Sequence, residues 1–343
     1  MDKTTKKYSF TVEYTTFAKA VAVILMVVVH STMDYAGYGN YTTVENIICS
    51  LFKPVVSMFA ILSGFGMMKS AKKTKNMVRL SLKRIVLVLV GYWMVFIVLF
   101  ARIIVFSTKS LEDIYGRRIT LSLLKDIFGC SHVGPITKSI MPISWFIGTI
   151  IIFYLLFPLL HMLIFKLGKL DFILLIISFI PIALLGFKIS LYTWDSIVYF
   201  MFSFVLGMYI EKHRIFEWFV RKKNEAYWRA FPIVAITTII LGFLRVYVGP
   251  LVDPLCGVTF IVFLIFIVNK IKILDRVLLF IGGIEFFIYL IHYSFIKQCS
   301  AMINHHSIWI YLVAFTFTVI ASVIYEFFYS KIKNYISKLK VFN

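Results

Sequence analysis

The run Lys19-Ala20-Val21-Ala22-Val23-Ile24-Leu25-Met26-Val27-Val28-Val29-His30 sets ten apolar residues between a cation and an imidazole. It lies inside an apolar segment over roughly 16–34. A bilayer crossing takes about 20 such residues, so the segment reads as a transmembrane helix. Eleven helical steps of about 100° come to about 20° past three turns, which puts Lys19 and His30 on one face, about 16 Å apart along the axis. Asp34 falls one turn further along that stripe, at i+4 from His30, where its carboxylate can orient the ring. Titratable groups inside a bilayer are costly and mark function by default. The plainer readings are that Lys19 snorkels to the headgroups and that His30 is a hydrogen-bonded packing residue.

The same length test along the chain gives ten spans, roughly 16–34, 47–68, 85–106, 143–165, 172–187, 193–210, 230–248, 252–269, 277–296 and 307–329. The expected fold is therefore an all-α polytopic membrane protein, with residues 1–343 forming a single transmembrane domain and no appended soluble domain. The fifth span is short and carries Pro181. Composition agrees: 61% of the 343 residues are hydrophobic and only 15% charged, against about 45–50% and 25% in soluble domains. This excludes a soluble enzyme, a disordered chain and a small disulfide scaffold. The polar start MDKTTKKYSF is followed by no small-residue cleavage site, so the first helix reads as retained.

The net charge of +20 would suggest nucleic acid in a soluble protein, but cytoplasmic loops enriched in Lys and Arg explain it more simply. Loops on alternate sides carry 25 and 7 basic residues, which places both termini in the cytoplasm and no nucleic acid among the partners. Cys49, Cys130, Cys256 and Cys299 form no CxxC pair, and no His-rich metal spacing occurs, so neither a disulfide framework nor a metal is expected.

A second polar stripe is expected on the ninth span, Gly282-Gly283-Ile284-Glu285-Phe286-Phe287-Ile288-Tyr289-Leu290-Ile291-His292. Glu285 and His292 are seven steps apart, with Tyr289 between them on the same side. Near mid-span, Glu285 needs a partner, and Arg102 and Arg245 are the available counter-charges unless they snorkel. His292 and Tyr289 also read as ordinary interface residues. The cytoplasmic loop from Lys69 to Arg84 is dense in cations; Arg79, Lys83 and Arg84 abut the third span and can face an anionic cytosolic ligand. His161, His213, His132, His305 and His306 are weaker candidates. The loop 107–142 is exofacial and turn-rich around Gly129-Cys130-Ser131-His132-Val133-Gly134-Pro135.

Taken in order, these elements resemble acyltransferase family 3, membrane proteins that O-acylate surface carbohydrates. The resemblance rests on Lys19 and His30 spaced as the family's basic residue and histidine, on Ser63-Gly64-Phe65, and on the helix from Ser144-Trp145 to Phe157-Pro158. Gly282, Tyr289, Leu290 and His292 match the family's ninth-helix motif. Departures are Lys19 for the usual Arg, Glu285 for Ser and Phe286 for Tyr. Lys keeps the charge but loses the bidentate fork.

The resemblance implies acyl-CoA, usually acetyl-CoA, as cytosolic donor, and a cell-surface or lipid-linked glycan as exofacial acceptor, in a plasma membrane, in our reading a bacterial cytoplasmic membrane. On that reading Lys19, Arg79, Lys83 and Arg84 hold the donor anion, and His30 is general base or transient acyl carrier. Asp34 and Glu285 complete the catalytic group. Ser63 reads as a close-packing site and Trp145 as an aromatic platform or part of the interface belt. Arg102, Arg245, Tyr289 and His292 line the cavity. The alternative is a transporter or flippase using Glu285, Arg102 and Arg245, against which stands the lack of repeated halves. Acceptor identity and oligomeric state stay open.

Overall fold

In the computed structural model the described residues are 9–37, 42–106, 110–132, 137–186, 195–302 and 308–339. They form helices joined by short turns, with no strand among them. In chain order the helices are α1 (Val12–Tyr35), α2 (Thr43–Phe52), α3 (Val55–Ala71), α4 (Met77–Phe106), α5 (Leu111–Tyr115), α6 (Ile119–Ile127), α7 (Trp145–Lys166) and α8 (Phe172–Gly186). They continue as α9 (Asp195–Lys212), α10 (Ile215–Glu225), α11 (Tyr227–Val248), α12 (Asp253–Ile267), α13 (Lys272–Gly283), α14 (Glu285–Met302) and α15 (Ile308–Lys338).

Six helical stretches among the described residues are long and apolar enough to cross a membrane: 12–35, 43–71, 77–106, 142–166, 227–267 and 309–338. The expected count of ten is larger because the stretch 227–267 holds two of those spans, on α11 and α12, and because 172–187, 193–210 and 277–296 fall on helices outside these six stretches. The 15 residues of α8 reach only about 22 Å, against about 30 Å of hydrocarbon. The ninth expected span is two helices, broken at Ile284 between α13 and α14. The second is also two, because Pro54 lacks the N–H that would continue α2 into α3. Thr42 and Glu45 cap the start of α2 reciprocally, the Thr42 amide donating to Glu45 Oε2 at 2.6 Å.

Large apolar side chains face outward in helical register. Along α11, Ile233, Ile236, Ile239, Ile240 and Phe243 are 57–66% exposed. Water would not tolerate so continuous a stripe, whereas lipid does. Every described span is helical, as a backbone without water requires.

The chain divides into two compact units. The first comprises residues 1–69 and 202–319. Its core gathers Phe10, Phe17, Phe65, Phe216 and Phe266, with the Phe10 ring 5.1 Å from Phe65 and 4.8 Å from Phe216. The crossing of α3 and α9 depends on two glycines: a Cβ on Gly64 would overlap the Phe204 carbonyl, and one on Gly207 the Ile61 carbonyl. Gly282 likewise brings α13 against α1, since a Cβ there would overlap the Thr16 carbonyl. Helices α11 and α12 form a hairpin around Gly249, which adopts φ +76°. Its arms are joined by buried Arg245, whose Nε donates to Asp253 Oδ1 at 2.9 Å.

The second unit comprises residues 70–201 and 320–343. Its segment between α4 and α7 is more ordered than its turn-rich sequence suggests, because it carries α5, α6 and a buried carboxylate. Asp126, 0% exposed, accepts from the Ile140 amide at 3.0 Å, from the Tyr115 hydroxyl at 3.2 Å and from the Ser139 hydroxyl. Tyr92 and Trp93 of α4 reach over to donate to the carbonyls of Asp126 and Ile127 at 2.6 and 2.7 Å. Burial pushes the Asp126 carboxyl above its ordinary value, against the pull of these donors.

Candidate functional site

The site is built on α1 and α14, which run in the same direction and meet at three polar contacts in order. Near the start of both, Lys19 Nζ lies 2.7 Å from Glu285 Oε1. Further along, His30 Nδ1 lies 2.6 Å from His292 Nε2. Last, Lys297 Nζ lies 2.7 Å from Asp34 Oδ1. The register follows from the Gly282–Thr16 approach: three residues beyond each come Glu285 and Lys19. The expected sharing of a face by Lys19 and His30 is met, since both turn toward α14.

At the centre the hydrogen bonds assign the protons. Nδ1 of His292 lies 2.9 Å from the carbonyl oxygens of both Ile288 and Tyr289, which can only accept. In a neutral imidazole Nδ1 therefore carries the hydrogen and Nε2 is bare. The contact with His30 is then a donation from His30 Nδ1–H, which leaves His30 Nε2 as the unprotonated nitrogen. The ring planes are 3° apart and the centroids 5.0 Å apart, so the two rings lie edge to edge along the N···N contact, and the Tyr293 ring stands at 76° to His30 with its centroid 6.0 Å away. His292 is fully buried while His30 is half-buried, so His30 is the ring a substrate can approach.

Asp34 does not hold the ring in the way its i+4 spacing suggests. It is 6% exposed, with Oδ1 against Lys297 and Oδ2 accepting from the Tyr311 hydroxyl at 3.2 Å. The residue that orients His30 is His292. Glu285 is the first residue of α14, beside the break that divides the expected ninth span, and its counter-charge is Lys19; Arg245, offered for that role, pairs with Asp253. Lys19 keeps a 39% exposed side chain against 16% for Glu285. Tyr289 is half-buried against the apolar core and supplies one of the carbonyls that fix His292. Ser63 is half-buried beside Gly64, and the tight packing falls on the glycine.

The remaining candidates belong to the second unit. Arg102 is exposed. Trp145 packs on Phe200 at 5.7 Å between ring centroids. Arg79 sits in the first turn of α4, where its amide is capped by Asn76 Oδ1 at 2.9 Å. Lys83 is half-buried, and exposed Arg84 donates to Ser70 Oγ at 2.9 Å. His305, His306 and residues 133–136 of the loop 107–142 lie outside the described residues. All four cysteines are free, and no group of His, Cys, Asp or Glu among the described residues is arranged to hold a metal.

Sequence reasoning missed Lys297 and Tyr311, both at the expected exofacial ends of their helices, where a Lys or Tyr looks like an ordinary interface residue. Only the fold shows that both turn onto Asp34.

A family model described as an acyltransferase domain matches residues 12–327. Neither a curated protein nor a solved structure matches the chain.

Proposed function

The chain belongs to the acyltransferase family whose domain model spans residues 12–327, and from that premise we propose that it transfers acetyl from cytosolic acetyl-CoA to a glycan hydroxyl on the far side of the membrane. In this reading the membrane is the bacterial cytoplasmic membrane, crossed ten times, with both termini in the cytoplasm. The observation that carries the proposal is the bare Nε2 of His30, fixed by the contact with His292.

The chemistry follows from that nitrogen. As an acceptor hydroxyl attacks the thioester carbonyl, its proton passes to His30 Nε2. The new bond is the ester C–O, the broken one is C–S, and the proton returns through His30 to the departing CoA thiolate. His292 accepts from His30 Nδ1–H throughout and stabilises the imidazolium as it forms. Direct transfer needs only this base, whereas a transient acyl-imidazole would need the same nitrogen as nucleophile.

Lys19 serves the donor. A primary ammonium offers three donors, so pairing with Glu285 is compatible with binding a donor anion as well. About 16 Å of helix separates Lys19 from His30, a distance suited to an extended pantetheine arm. The transporter alternative is less well supported, because Glu285 and Arg245 each face a partner of opposite charge. The test is mass spectrometry of surface and lipid-linked glycans from cells with and without the protein. An acetyl ester that disappears with the protein supports the reading; identical glycan masses contradict it.

A further inference from the structure

Helix α2 runs back along α1 inside the first unit: Ile48 shares a crevice with Val28, and Pro54 shares another with Leu25. Between those levels Cys49 is buried, its Sγ 4.0 Å from the carbonyl oxygen of Val29, the residue before His30. Lys53 follows one turn later, its amide donating to the Cys49 carbonyl at 3.0 Å, so its side chain leaves the same face of α2. That turn carries the backbone about 5.4 Å from Cys49 towards the Lys19 end of α1. Lys53 is exposed, and its ammonium is close enough for its charge to act on both His30 and Cys49.

This is an expensive place for a cation. Lys53 comes ten residues after the start of the stretch 43–71, about 15 Å along it, which is half of a hydrocarbon core of about 30 Å. Among the described residues no side chain forms an ion pair or hydrogen bond with its ammonium, whereas Lys19 has Glu285 and Lys297 has Asp34. The C-terminal end of α2 attracts a cation, but by less than an ammonium at mid-bilayer costs. An apolar side chain would serve the fold better, so the charge points to function.

What the ammonium meets follows from the chemistry at His30. The pantetheine arm carries no charge, and His292 is neutral. The negative charge that arises beside His30 is on the thioester carbonyl oxygen, once the acceptor hydroxyl has added. We propose that the Lys53 ammonium stabilises this oxyanion. As the hydroxyl oxygen bonds to the carbonyl carbon, its proton passes to His30 Nε2 and the carbonyl π pair moves onto oxygen. When that pair returns, the C–S bond breaks and the CoA thiolate takes the proton from His30. Lys53 keeps all its protons throughout and acts by charge and hydrogen bond alone. The proposal deepens the acyltransferase reading and rests on it for the substrate; the placement of Lys53 stands without it.

The experiment uses the full chain in lipid nanodiscs and two ligands, acetyl-CoA and S-methylphosphonyl-CoA, whose tetrahedral phosphorus carries a negative oxygen in place of the oxyanion. Lys53→Met should weaken binding of the phosphonyl compound at least about tenfold and leave acetyl-CoA binding within about twofold. Transfer of labelled acetyl in membranes should fall about 10²–10³-fold, the usual loss of an oxyanion donor, with KM for acetyl-CoA unchanged. Lys53→Arg keeps the charge and should hold transfer within about tenfold of the wild type. Because the variant replaces an unpaired charge by an apolar chain, thermal unfolding of Lys53→Met should come no earlier than in the wild type. Equal weakening of both ligands, or wild-type transfer by Lys53→Met, overturns the assignment. Lys53-dependent binding of the phosphonyl compound without acetyl transfer in wild-type membranes upholds the cation site and overturns the acyltransferase reading instead.

Discussion

His30 and His292 lie edge to edge in nearly one plane, with Nδ1 of the first 2.6 Å from Nε2 of the second. Two backbone carbonyls decide which nitrogens carry protons, and the decision passes through His292 to His30. The relationship resembles the orienting step of an acid–base relay in which the outer imidazole is held in one tautomer by an inner partner. Here the partner is neutral, so the outer ring is positioned without a fixed negative charge behind it.

Replacing His292 by Phe keeps ring size and removes the acceptor. His30 Nδ1–H is then left without its partner, a loss of about 1–3 kcal/mol for a buried polar group, and the ring is free to turn or change tautomer. Acetyl transfer measured with labelled acetyl-CoA should drop at least about tenfold, with binding of acetyl-CoA unchanged. His292→Gln, which keeps an acceptor, should recover part of the rate. Equal rates in the Phe variant and the wild type would show that His292 only packs.

Lys19 and Glu285 should be energetically coupled. A double-mutant cycle with Lys19→Met and Glu285→Leu, followed by thermal unfolding in detergent, should give an interaction energy of about 0.5–3 kcal/mol, the range for residues in contact. Additive effects would place the pair apart in solution. For donor binding the cycle should behave differently: Lys19→Met weakens acetyl-CoA binding even when Glu285 is already Leu.

The Arg245–Asp253 pair is buried on both sides, with 8% and 6% side-chain exposure. Removing one partner from such a pair typically costs about 3–5 kcal/mol, whereas replacing both by apolar residues is often neutral. Arg245→Met should therefore destabilise strongly in thermal unfolding, and Arg245→Met with Asp253→Leu should restore most of the loss. If the single variant matches the wild type, the α11–α12 hairpin does not depend on this pair.

Asp126, which lies outside the six long apolar stretches, gives a pH signature. Its carboxyl is raised by burial, so the folded state binds more protons than the unfolded one between the ordinary carboxylate value and the raised one. Stability falls as pH rises through that window and grows as pH falls through it, opposite to an acid held low by a salt bridge. Thermal unfolding between about pH 4 and 7 should show wild-type protein gaining stability on acidification relative to Asp126→Asn. A wild-type difference of the opposite sign would mean that the donors around Asp126 outweigh its burial.

The helical character of the chain was legible from runs such as Lys19–His30, because lipid permits little else of that length. The exact crossings were less so. Hydropathy averages over a Pro or a one-residue break, so it joined α2 to α3 across Pro54 and α13 to α14 across Ile284. Within the site, the shared face of Lys19 and His30 followed from helical arithmetic alone. The pairing of Glu285 with Lys19 and of His30 with His292 did not, because partners 266 and 262 residues apart meet only through the Gly282–Thr16 approach. Asp34 shows the limit of local spacing: i+4 from His30, it turns to Lys297 and Tyr311, whose cation and hydroxyl satisfy a buried carboxylate better than a neutral ring does.

The most direct test of the central claim is transfer of labelled acetyl from acetyl-CoA in membranes carrying His30→Ala, alongside acetyl-CoA binding to the purified variant. The account predicts a loss of transfer of about 10²–10⁴-fold, the usual contribution of a positioned base, with donor binding retained. Transfer by His30→Ala at the wild-type rate would contradict it.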